Sequence, residues 1–225
     1  MGVCKQLRNL LGGLVLKAVV LLSGGLDSVV SMLLAREQAD IVLALTIDYG
    51  QKARSNEMKS SAAFCSLFGI EHKVIQLPFM LDMKSGIIED SGIEDISPWV
   101  PNRNGLLINL AACYAENLGA DWVICGFNRE EGVDFPDNTQ EYVDSVNQSL
   151  YYSTLNKVKL ISFVQNMNKH EIVSAARSMG VNFGLIWSCY RQGDKPCGQC
   201  PSCRRNQEAY EKVGIDYDQD FIAGK

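Results

Sequence analysis

The stretch that most constrains the fold is a serine–glycine–glycine turn between an apolar run and an amphipathic segment. Residues 18–22 are all apolar, and from Leu26 to Arg36 apolar residues recur at helical spacing. Gly24 and Gly25 let the backbone turn sharply between a strand and a helix. The N–H groups of such a turn and the positive end of the helix dipole both attract anions. The stretch therefore predicts a strand–turn–helix unit that binds phosphate.

Side chains within the turn strengthen this prediction. Ser23 and Ser28 supply hydroxyl donors, and Asp27 supplies a carboxylate that can hold Mg²⁺ or orient the turn. Because a carboxylate beside phosphates needs a cation to offset repulsion, we expect Mg²⁺ with the bound pyrophosphate group. The turn lacks the Lys-Ser/Thr ending of nucleotide-hydrolase P-loops and the third glycine of the dinucleotide motif. A plain strand-to-helix turn is the structural alternative.

The pattern Ser-Gly-Gly-x-Asp-Ser resembles the signature of the PP-loop family of ATP pyrophosphatases. This resemblance implies that ATP is split into AMP and pyrophosphate, and it names a type of reaction rather than a substrate. It gives catalytic roles to Ser23, Asp27 and Ser28. The residues expected to bind ATP run from the turn into the helix: Leu22, Ser23, Gly24, Gly25, Leu26, Asp27, Ser28, Val29, Val30, Ser31 and Met32.

The rest of the chain alternates strand-like and helix-like segments. Strands are predicted at 18–22, 41–47, 72–77, 122–125 and 158–163. Helices are predicted at 26–36, 55–68, 106–118, 142–155 and 169–179. This order predicts an α/β fold with a doubly wound, mostly parallel, five-stranded Rossmann-like sheet. Ligands should therefore collect at the carboxyl ends of the strands.

Several local predictions follow the helix and loop signals. Asn104 is expected to cap the helix that starts at Leu106, and Asn168 with Glu171 forms a capping box. Residues 78–104 have the length and composition of an active-site lid. Residues 126–138 are predicted to form a polar loop with a proline turn, and their composition fits a solvated charged loop as well as a functional one.

Bulk composition favours a small-molecule enzyme over a protein that binds nucleic acid. The chain has 225 residues, 47% of them hydrophobic, and a net charge of −5. Such a charge gives no electrostatic attraction to polynucleotides, and no apolar run reaches the length of a membrane span. Four scattered cysteines have the context of reduced core thiols, so we expect a cytoplasmic protein without direct nucleic-acid or membrane partners. The sequence does not decide between a monomer and a homodimer.

Four further cysteines form a metal-binding pattern near the C-terminus: Cys189, Cys197, Cys200 and Cys203. Four thiolates satisfy the tetrahedral demand of structural Zn²⁺, and a closed set leaves no open position for activating water. An iron–sulfur cluster and a redox pair are the alternatives. We expect the segment 187–225 to be a zinc-binding addition to an α/β domain at 17–186, preceded by an extension at 1–16 with no assigned role.

Together, the turn, the cysteines and Trp187-Ser188-Cys189-Tyr190 resemble the 7-cyano-7-deazaguanine synthase family of queuosine biosynthesis. The resemblance implies that 7-carboxy-7-deazaguanine and ammonia become the nitrile through an amide, with two ATP consumed. It also implies that three motifs line the ligand cleft, here Tyr49-Gly50-Gln51, Arg103-Asn104 and Pro136-Asp137. The chain departs from the family at Lys52-Ala53 and Asn138-Thr139.

The chemistry of the substrate narrows the predicted pocket. A deazaguanine ring presents amide and amino edges that suit a carboxylate acceptor and a flat stacking side chain. The predicted substrate-binding residues are Tyr49, Gln51, Arg103, Asn104, Glu131, Phe135, Asp137 and Trp187. The alternatives are another PP-loop ATPase, such as a tRNA thiolase or an amidotransferase-type synthetase, and a non-enzymatic zinc-stabilised nucleic-acid-binding module.

Overall fold

Five parallel strands form the central sheet of the computed structural model, which describes residues 15–89 and 98–216. The strands are β1 (Leu16–Leu21), β2 (Ala39–Asp48), β3 (His72–Gln76), β4 (Trp122–Cys125) and β5 (Lys159–Ser162). Their order across the sheet is β3-β2-β1-β4-β5, and every neighbouring pair is parallel. The predicted doubly wound α/β fold is confirmed.

Helices connect the strands and cover both faces of the sheet. They are α1 (Leu26–Ala35), α2 (Arg54–Phe68), α3 (Arg103–Asn117), α4 (Arg129–Asp134), α5 (Gln140–Ser153), α6 (Lys169–Ser178) and α7 (Pro201–Val213). Short 3₁₀ turns occupy Pro78–Asp82, Pro136–Asn138 and Phe183–Leu185.

Alternating side chains of β1 divide the hydrophobic core into two layers. Ala18 and Val20 pack in one buried cluster with residues of α1, α2, α6 and α7, whereas Val19 packs in a second cluster with residues of α3 and α5. This alternation is the period of a strand that is buried on both faces. Successive crossovers change faces between β1 and β4, which places the topological switch point at the ends of these two strands.

The structure corrects two predictions about local elements. Helix α3 begins at Arg103, and Asn102 with φ 50° precedes it, so Asn104 lies inside the first turn and does not cap the helix. The segment 126–138 is ordered as α4 and a 3₁₀ turn rather than a solvated loop. The capping box at Asn168 and Glu171 is confirmed. Part of the predicted lid, residues 90–97, lies outside the described residues.

Helix α7 joins the cysteine segment to the α/β core. Its Ala209 and Tyr210 are buried in the same cluster as α1 and α6, and the Tyr210 ring meets Phe183 edge-on at 5.2 Å between ring centres. The proposed division at 17–186 and 187–225 stays a prediction, as does the extension 1–16, of which the described residues include only the last two. Within 15–89 and 98–216, no helix combines the length and hydrophobicity needed to cross a bilayer.

Candidate active site

A cavity of about 280 Å³ opens at the carboxyl ends of β1, β2 and β4. The turn after β1 and the segment after β4 approach closely there, since a Cβ added to Gly126 would lie 2.6 Å from the Ser28 backbone nitrogen. Only glycine permits this contact. The cavity therefore lies at the switch point of the sheet, where parallel α/β folds bind their ligands.

Backbone and hydroxyl groups organise the Ser-Gly-Gly turn. Gly24 has φ +77°, and a side chain there would collide with Ser60 of α2. The Gly25 N–H donates to Ser23 Oγ at 3.3 Å, and Ser28 Oγ donates to the Gly25 carbonyl at 2.9 Å. The two serine hydroxyls lie 3.2 Å apart. The turn thus holds its hydroxyls beside the N-terminus of α1, as an anion site requires.

Lys169 completes this side of the cavity, and the sequence analysis did not find it. Its ammonium group pairs with Asp27 Oδ2, and the Lys169 side chain is only 6% exposed. Burial alone would lower the pKa of Lys169, but the nearby carboxyl groups of Asp27 and Glu131 outweigh it and raise the pKa. Asp27 Oδ1 is buried and has no hydrogen-bond partner among the described residues. We call residues 22–28 together with Lys169 the loop wall.

One signal in the sequence pointed to this lysine. The capping box fixes Lys169 as the first residue of α6, directly after the β5 segment and so at the carboxyl edge of the sheet. A cation at the positive end of a helix dipole is unfavourable unless an anion compensates it. Its placement there indicated a partner such as Asp27 or a bound phosphate.

Part of the predicted ATP-binding set does not reach the cavity. The side chains of Val29, Val30 and Met32 are buried in the hydrophobic core. Ser31 accepts a hydrogen bond from the Phe163 N–H at 3.1 Å. The cavity-lining members of the set are Leu22, Ser23, Gly25, Asp27 and Ser28.

All eight predicted substrate-binding residues line the cavity: Tyr49, Gln51, Arg103, Asn104, Glu131, Phe135, Asp137 and Trp187. They come from distant parts of the chain, and side-chain hydrogen bonds join four of them. Arg103 donates to the Tyr49 hydroxyl at 3.2 Å, and Asn104 donates to Asp137 Oδ2 at 2.8 Å. Asn138 donates to Asp137 Oδ1 at 2.9 Å, so both oxygens of this carboxylate are held.

Gln51 is turned towards the protein rather than the cavity. Its Oε1 accepts from the Tyr49 N–H at 2.9 Å, and its Nε2 donates to the Ile47 carbonyl at 2.9 Å and to Glu57 Oε2 at 2.8 Å. An amide NH₂ has two donors, and both are used here. Gln51 therefore positions Glu57, a cavity residue that the sequence analysis did not single out. We call Tyr49, Gln51, Glu57 and Arg103 the β2 wall.

Burial shifts the pKa of several cavity groups. Desolvation raises the pKa of Glu57 to about 7, with the Gln51 hydrogen bond opposing the shift. Desolvation also raises the pKa of Glu131 against the opposing charge of Lys169. The pKa values of Tyr49 and Tyr190 are raised by the same cause. Clusters of shifted carboxyl groups in a cleft are typical of functional sites.

Aromatic rings form the outer part of the cavity. Trp99 and Phe135 stack with ring centres 6.3 Å apart and planes inclined by 15°. The indole Nε1 of Trp187 is buried without a hydrogen-bond partner among the described residues. A buried donor at a cavity wall usually has a ligand or water as its partner. This wall offers flat surfaces and one free donor.

The four predicted metal ligands converge on one point. The Sγ atoms of Cys189, Cys197, Cys200 and Cys203 all lie within 4.8 Å of one another. Backbone N–H groups surround the sulfurs: those of residues 191 and 197 point at Cys189, and those of residues 199 and 200 point at Cys197, at 3.3–3.5 Å. Such donors favour thiolates, so the group can hold a metal ion.

The cysteine segment is hydrogen-bonded directly to the phosphate turn. The Trp187 N–H donates to the Gly24 carbonyl at 3.0 Å, and Ser188 Oγ accepts from the Leu26 N–H at 3.2 Å. Ser188 immediately precedes the ligand Cys189. One hydrogen bond and one peptide bond therefore separate a cysteine ligand from the phosphate turn.

Comparison with known proteins identifies the family. The model of the family described as "Queuosine biosynthesis protein QueC" matches residues 17–214. The chain belongs to the QueC family. It is 44% identical over 216 residues to the 7-cyano-7-deazaguanine synthase of Desulforudis audaxviator, covering 88% of this chain and 98% of that protein. The synthase of Carboxydothermus hydrogenoformans is 45% identical over 211 residues, covering 86% of this chain and 97% of that protein.

The similarity extends to archaeal relatives and to solved structures. The 7-cyano-7-deazaguanine synthase of Methanocaldococcus jannaschii is 36% identical over 231 residues, covering 92% of this chain and all of that protein. The U34-tRNA thiolase NcsA of Methanococcus maripaludis, solved with its [4Fe-4S] cluster, aligns with 98% of this chain and 74% of its own at TM-score 0.52. With 17% identity, that match supports the PP-loop fold of this QueC family member and nothing finer.

Proposed function

We propose that the protein converts 7-carboxy-7-deazaguanine and ammonia into 7-cyano-7-deazaguanine, with two ATP split into AMP and pyrophosphate. The observation that carries this proposal is one cavity in a QueC family chain that joins a phosphate turn to a pocket of amide, carboxyl and aromatic groups. The tRNA thiolase and amidotransferase alternatives are not favoured, because relatives that are 43–45% identical to this chain bear the synthase name.

The cavity suits two rounds of activation at a single place. A carboxylate oxygen is a poor leaving group, so this oxygen must first attack the α-phosphate of ATP and become adenylated, with release of pyrophosphate, before ammonia can displace AMP. The resulting amide needs its oxygen adenylated in turn before AMP leaves and the nitrile forms. Both rounds require a carbonyl-type oxygen beside the α-phosphate, and holding the two reactants together supplies much of the acceleration.

The loop wall has the groups that pyrophosphate release demands. Lys169 and the N–H groups of the turn can neutralise the charge that develops on the leaving pyrophosphate. Magnesium, when bound, would add positive charge there, and the unpartnered Asp27 Oδ1 is the oxygen best suited to face it. Because Lys169 already holds Oδ2, we propose Asp27 as the residue that fixes both cations relative to the turn.

The deazaguanine ring is proposed to lie between the aromatic rings and the Asp137 group. Asp137 is oriented by Asn104 and Asn138, and each of its oxygens retains capacity to accept from the ring N–H groups. Phe135 provides a flat surface, and the indole N–H of Trp187 can donate to an acceptor on the deazaguanine ring. Asp137→Ala should therefore raise the KM for the deazaguanine while ATP still binds.

We propose zinc as the ion of the cysteine group. Two Zn–S bonds of ~2.3 Å span at most ~4.6 Å, which fits sulfurs that converge on one centre. In a four-iron cluster each cysteine binds a different iron, so the sulfurs would lie further apart. Elemental analysis of the purified protein distinguishes the two metals. Visible absorbance gives a second check, since an iron cluster absorbs visible light and zinc does not.

The direct test incubates the protein with ATP, Mg²⁺, an ammonium salt and 7-carboxy-7-deazaguanine. Mass spectrometry should detect the amide and then the nitrile, with AMP and pyrophosphate released. Ser28→Ala and Asp27→Asn should abolish AMP release, whereas the exposed Ser178→Ala should not. Absence of nitrile, or near-normal AMP release from the two turn variants, would refute the assignment.

The remaining partners are part of the same proposal. Free ammonia is taken as the nitrogen source, and cytoplasmic placement is supported by the need for ATP and reduced thiols. A homodimer stays a prediction that light scattering can check.

A further inference from the structure

Four carboxyl groups line the cavity, and they differ in how strongly they are held. Asp27 is paired with Lys169, and Glu131 lies beside the same lysine. Asp137 accepts from two amides, one on each oxygen. Glu57 accepts only at Oε2, and its Oε1 has no hydrogen bond to the described residues. Glu57 thus keeps one carboxyl oxygen available to a ligand.

The surrounding groups fix the direction of this oxygen. Gln51 is locked by the backbone of Ile47 and Tyr49, so its remaining donor is aimed at Glu57 Oε2. A side chain held at one oxygen by a saturated amide has little freedom to rotate. Glu57 lines the cavity, and Oε1 is the carboxyl oxygen that Gln51 leaves available there.

Helix α2 also places Glu57 next to the phosphate turn. Ser61 Oγ lies 3.0 Å from the Leu22 carbonyl oxygen and 2.7 Å from the Glu57 carbonyl oxygen, and its single O–H is shared between these two acceptors. Ser60 Oγ donates to the Gly24 carbonyl at 2.9 Å. The helical turn that carries Glu57 is therefore packed on the loop that is expected to hold the α-phosphate. The reacting carbon of an adenylated substrate must lie at that phosphate.

From this geometry we infer that Glu57 is a catalytic residue, the proton acceptor of the nitrile-forming step. The inference rests on the proposed function. Gln51 is then its positioning residue. Adenylation of the amide oxygen, with loss of one of its two N–H protons to solvent, gives a neutral imidate, C(=NH)–O–AMP. In the nitrile-forming step the remaining N–H bond breaks and its proton passes to Glu57 Oε1. The electron pair of that N–H bond becomes part of the C≡N bond, while the C–O bond breaks and AMP leaves with the electron pair of the C–O bond.

Ionisable groups around Glu57 are compatible with proton exchange near neutral pH. Arg103 is the facing cation, Asp48 and Tyr49 are the facing acids, and Gln51 is the neutral partner. Desolvation raises the pKa of Glu57 more than the charge of Arg103 lowers it, so the pKa of this carboxyl group is about 7. A general base works best when its pKa is near the working pH, and such a base contributes roughly 10²- to 10⁴-fold to rate.

The test uses the amide intermediate, 7-amido-7-deazaguanine, with ATP and Mg²⁺ and without ammonia, so that ammonium ionisation does not affect the pH profile. Glu57→Gln should lower kcat for nitrile formation at least about 100-fold and leave the KM values for ATP and amide within about threefold. The wild-type rate of nitrile formation should decrease as the pH falls below 7, following the protonation of a single group. This decrease should be missing in Glu57→Gln. Glu57→Asp should retain it, at a lower overall rate.

Matched controls separate this inference from the proposed function. Glu71→Gln, at an exposed position, should behave as the wild type. Exchange of labelled pyrophosphate into ATP with 7-carboxy-7-deazaguanine should persist in Glu57→Gln, because adenylation of the carboxylate releases no N–H proton. A raised KM for ATP or deazaguanine with unchanged kcat would make Glu57 a binding residue and overturn the inference. Failure of the wild type to form nitrile would instead overturn the proposed function.

Discussion

The two walls of the cavity hold their carboxyl groups in opposite electrostatic settings. On the loop wall, Asp27 lies against the buried ammonium group of Lys169. On the β2 wall, Glu57 is bonded to the neutral amide of Gln51. A nearby cation favours the charged form of a carboxyl group, whereas burial beside a neutral partner favours its protonated form. One wall is therefore built to hold charge, and the other is suited to exchange a proton.

The largest expected effect comes from removing the cation of the loop wall. Lys169→Met should reduce ATP-dependent turnover by 10²-fold or more, because a preorganised donor beside the developing charge is lost. It should also destabilise the fold by about 3–5 kcal/mol, since Asp27 would remain buried without its partner. Steady-state AMP release and chemical denaturation measure the two effects separately.

Two further variants sharpen that result. Changing the neighbouring His170 to Ala should leave AMP release unchanged, as no hydrogen bond or ion pair joins its side chain to the turn among the described residues. The double variant Asp27→Asn with Lys169→Met should regain stability but not activity. If activity returned with stability, Lys169 would be a structural residue, and the charge-holding role of this wall would be wrong.

The next effect tests whether the metal group supports the loop wall. Cys200→Ser should release the ion, lower the melting temperature and weaken ATP binding, because the segment that donates to Gly24 loses its anchor. Cys113→Ser, at an exposed cysteine of α3, is the matched control. Normal ATP binding in a metal-free Cys200→Ser protein would show that the turn keeps its shape without the metal.

A smaller effect is expected at the bond that joins the two parts. Ser188→Ala removes the hydroxyl that accepts from the Leu26 N–H, so this N–H would lose its partner in the free protein. We expect the Kd for ATP to change by a factor of a few, equivalent to about 0.5–1.5 kcal/mol for one neutral hydrogen bond. Calorimetric titration with ATP and Mg²⁺ measures it, and a change above about 50-fold would instead indicate that Ser188 contacts the nucleotide.

Residues 22–28 of the loop wall were predictable from sequence because they are contiguous. Strand, glycine turn and helix follow one another, so each local signal supports the next. Apolar runs were equally informative elsewhere, since β4 was predicted with its observed bounds. The cysteines were found for a similar reason, since three of the four lie within seven residues. Spacing along the chain is informative when the ligands themselves are close in sequence.

The β2 wall and Lys169 were harder because their partners are far apart in the chain. Lys169 meets Asp27 across 142 positions, and Arg103 meets Tyr49 across 54. Periodicity does not reveal such contacts, and the capping box indicates only that Lys169 needs a nearby anion, not which one. Helix α4 was missed because Gly132 and four acidic residues within 130–137 have the composition of a loop. Asn104 was assigned to a cap because its residue type fits caps, yet its amide is used by Asp137.

The last expected effect concerns stability rather than activity, and it tests the β2 wall without any substrate. The Glu57 pKa is raised from its ordinary 4.5 to about 7 in the folded protein. The folded state therefore binds a proton more tightly than the unfolded chain, so its stability falls as the pH rises from about 4.5 through 7 and then levels off. Glu57→Gln carries no such penalty, because glutamine does not ionise. Since Glu57 is partly open to the cavity, we expect the variant to gain about 1–3 kcal/mol over wild type between pH 5 and pH 8. Urea denaturation at both pH values measures this gain, with Glu71→Gln as the control. A difference that stayed constant with pH would mean that Glu57 does not titrate near neutral pH, and the contrast between the two walls would disappear.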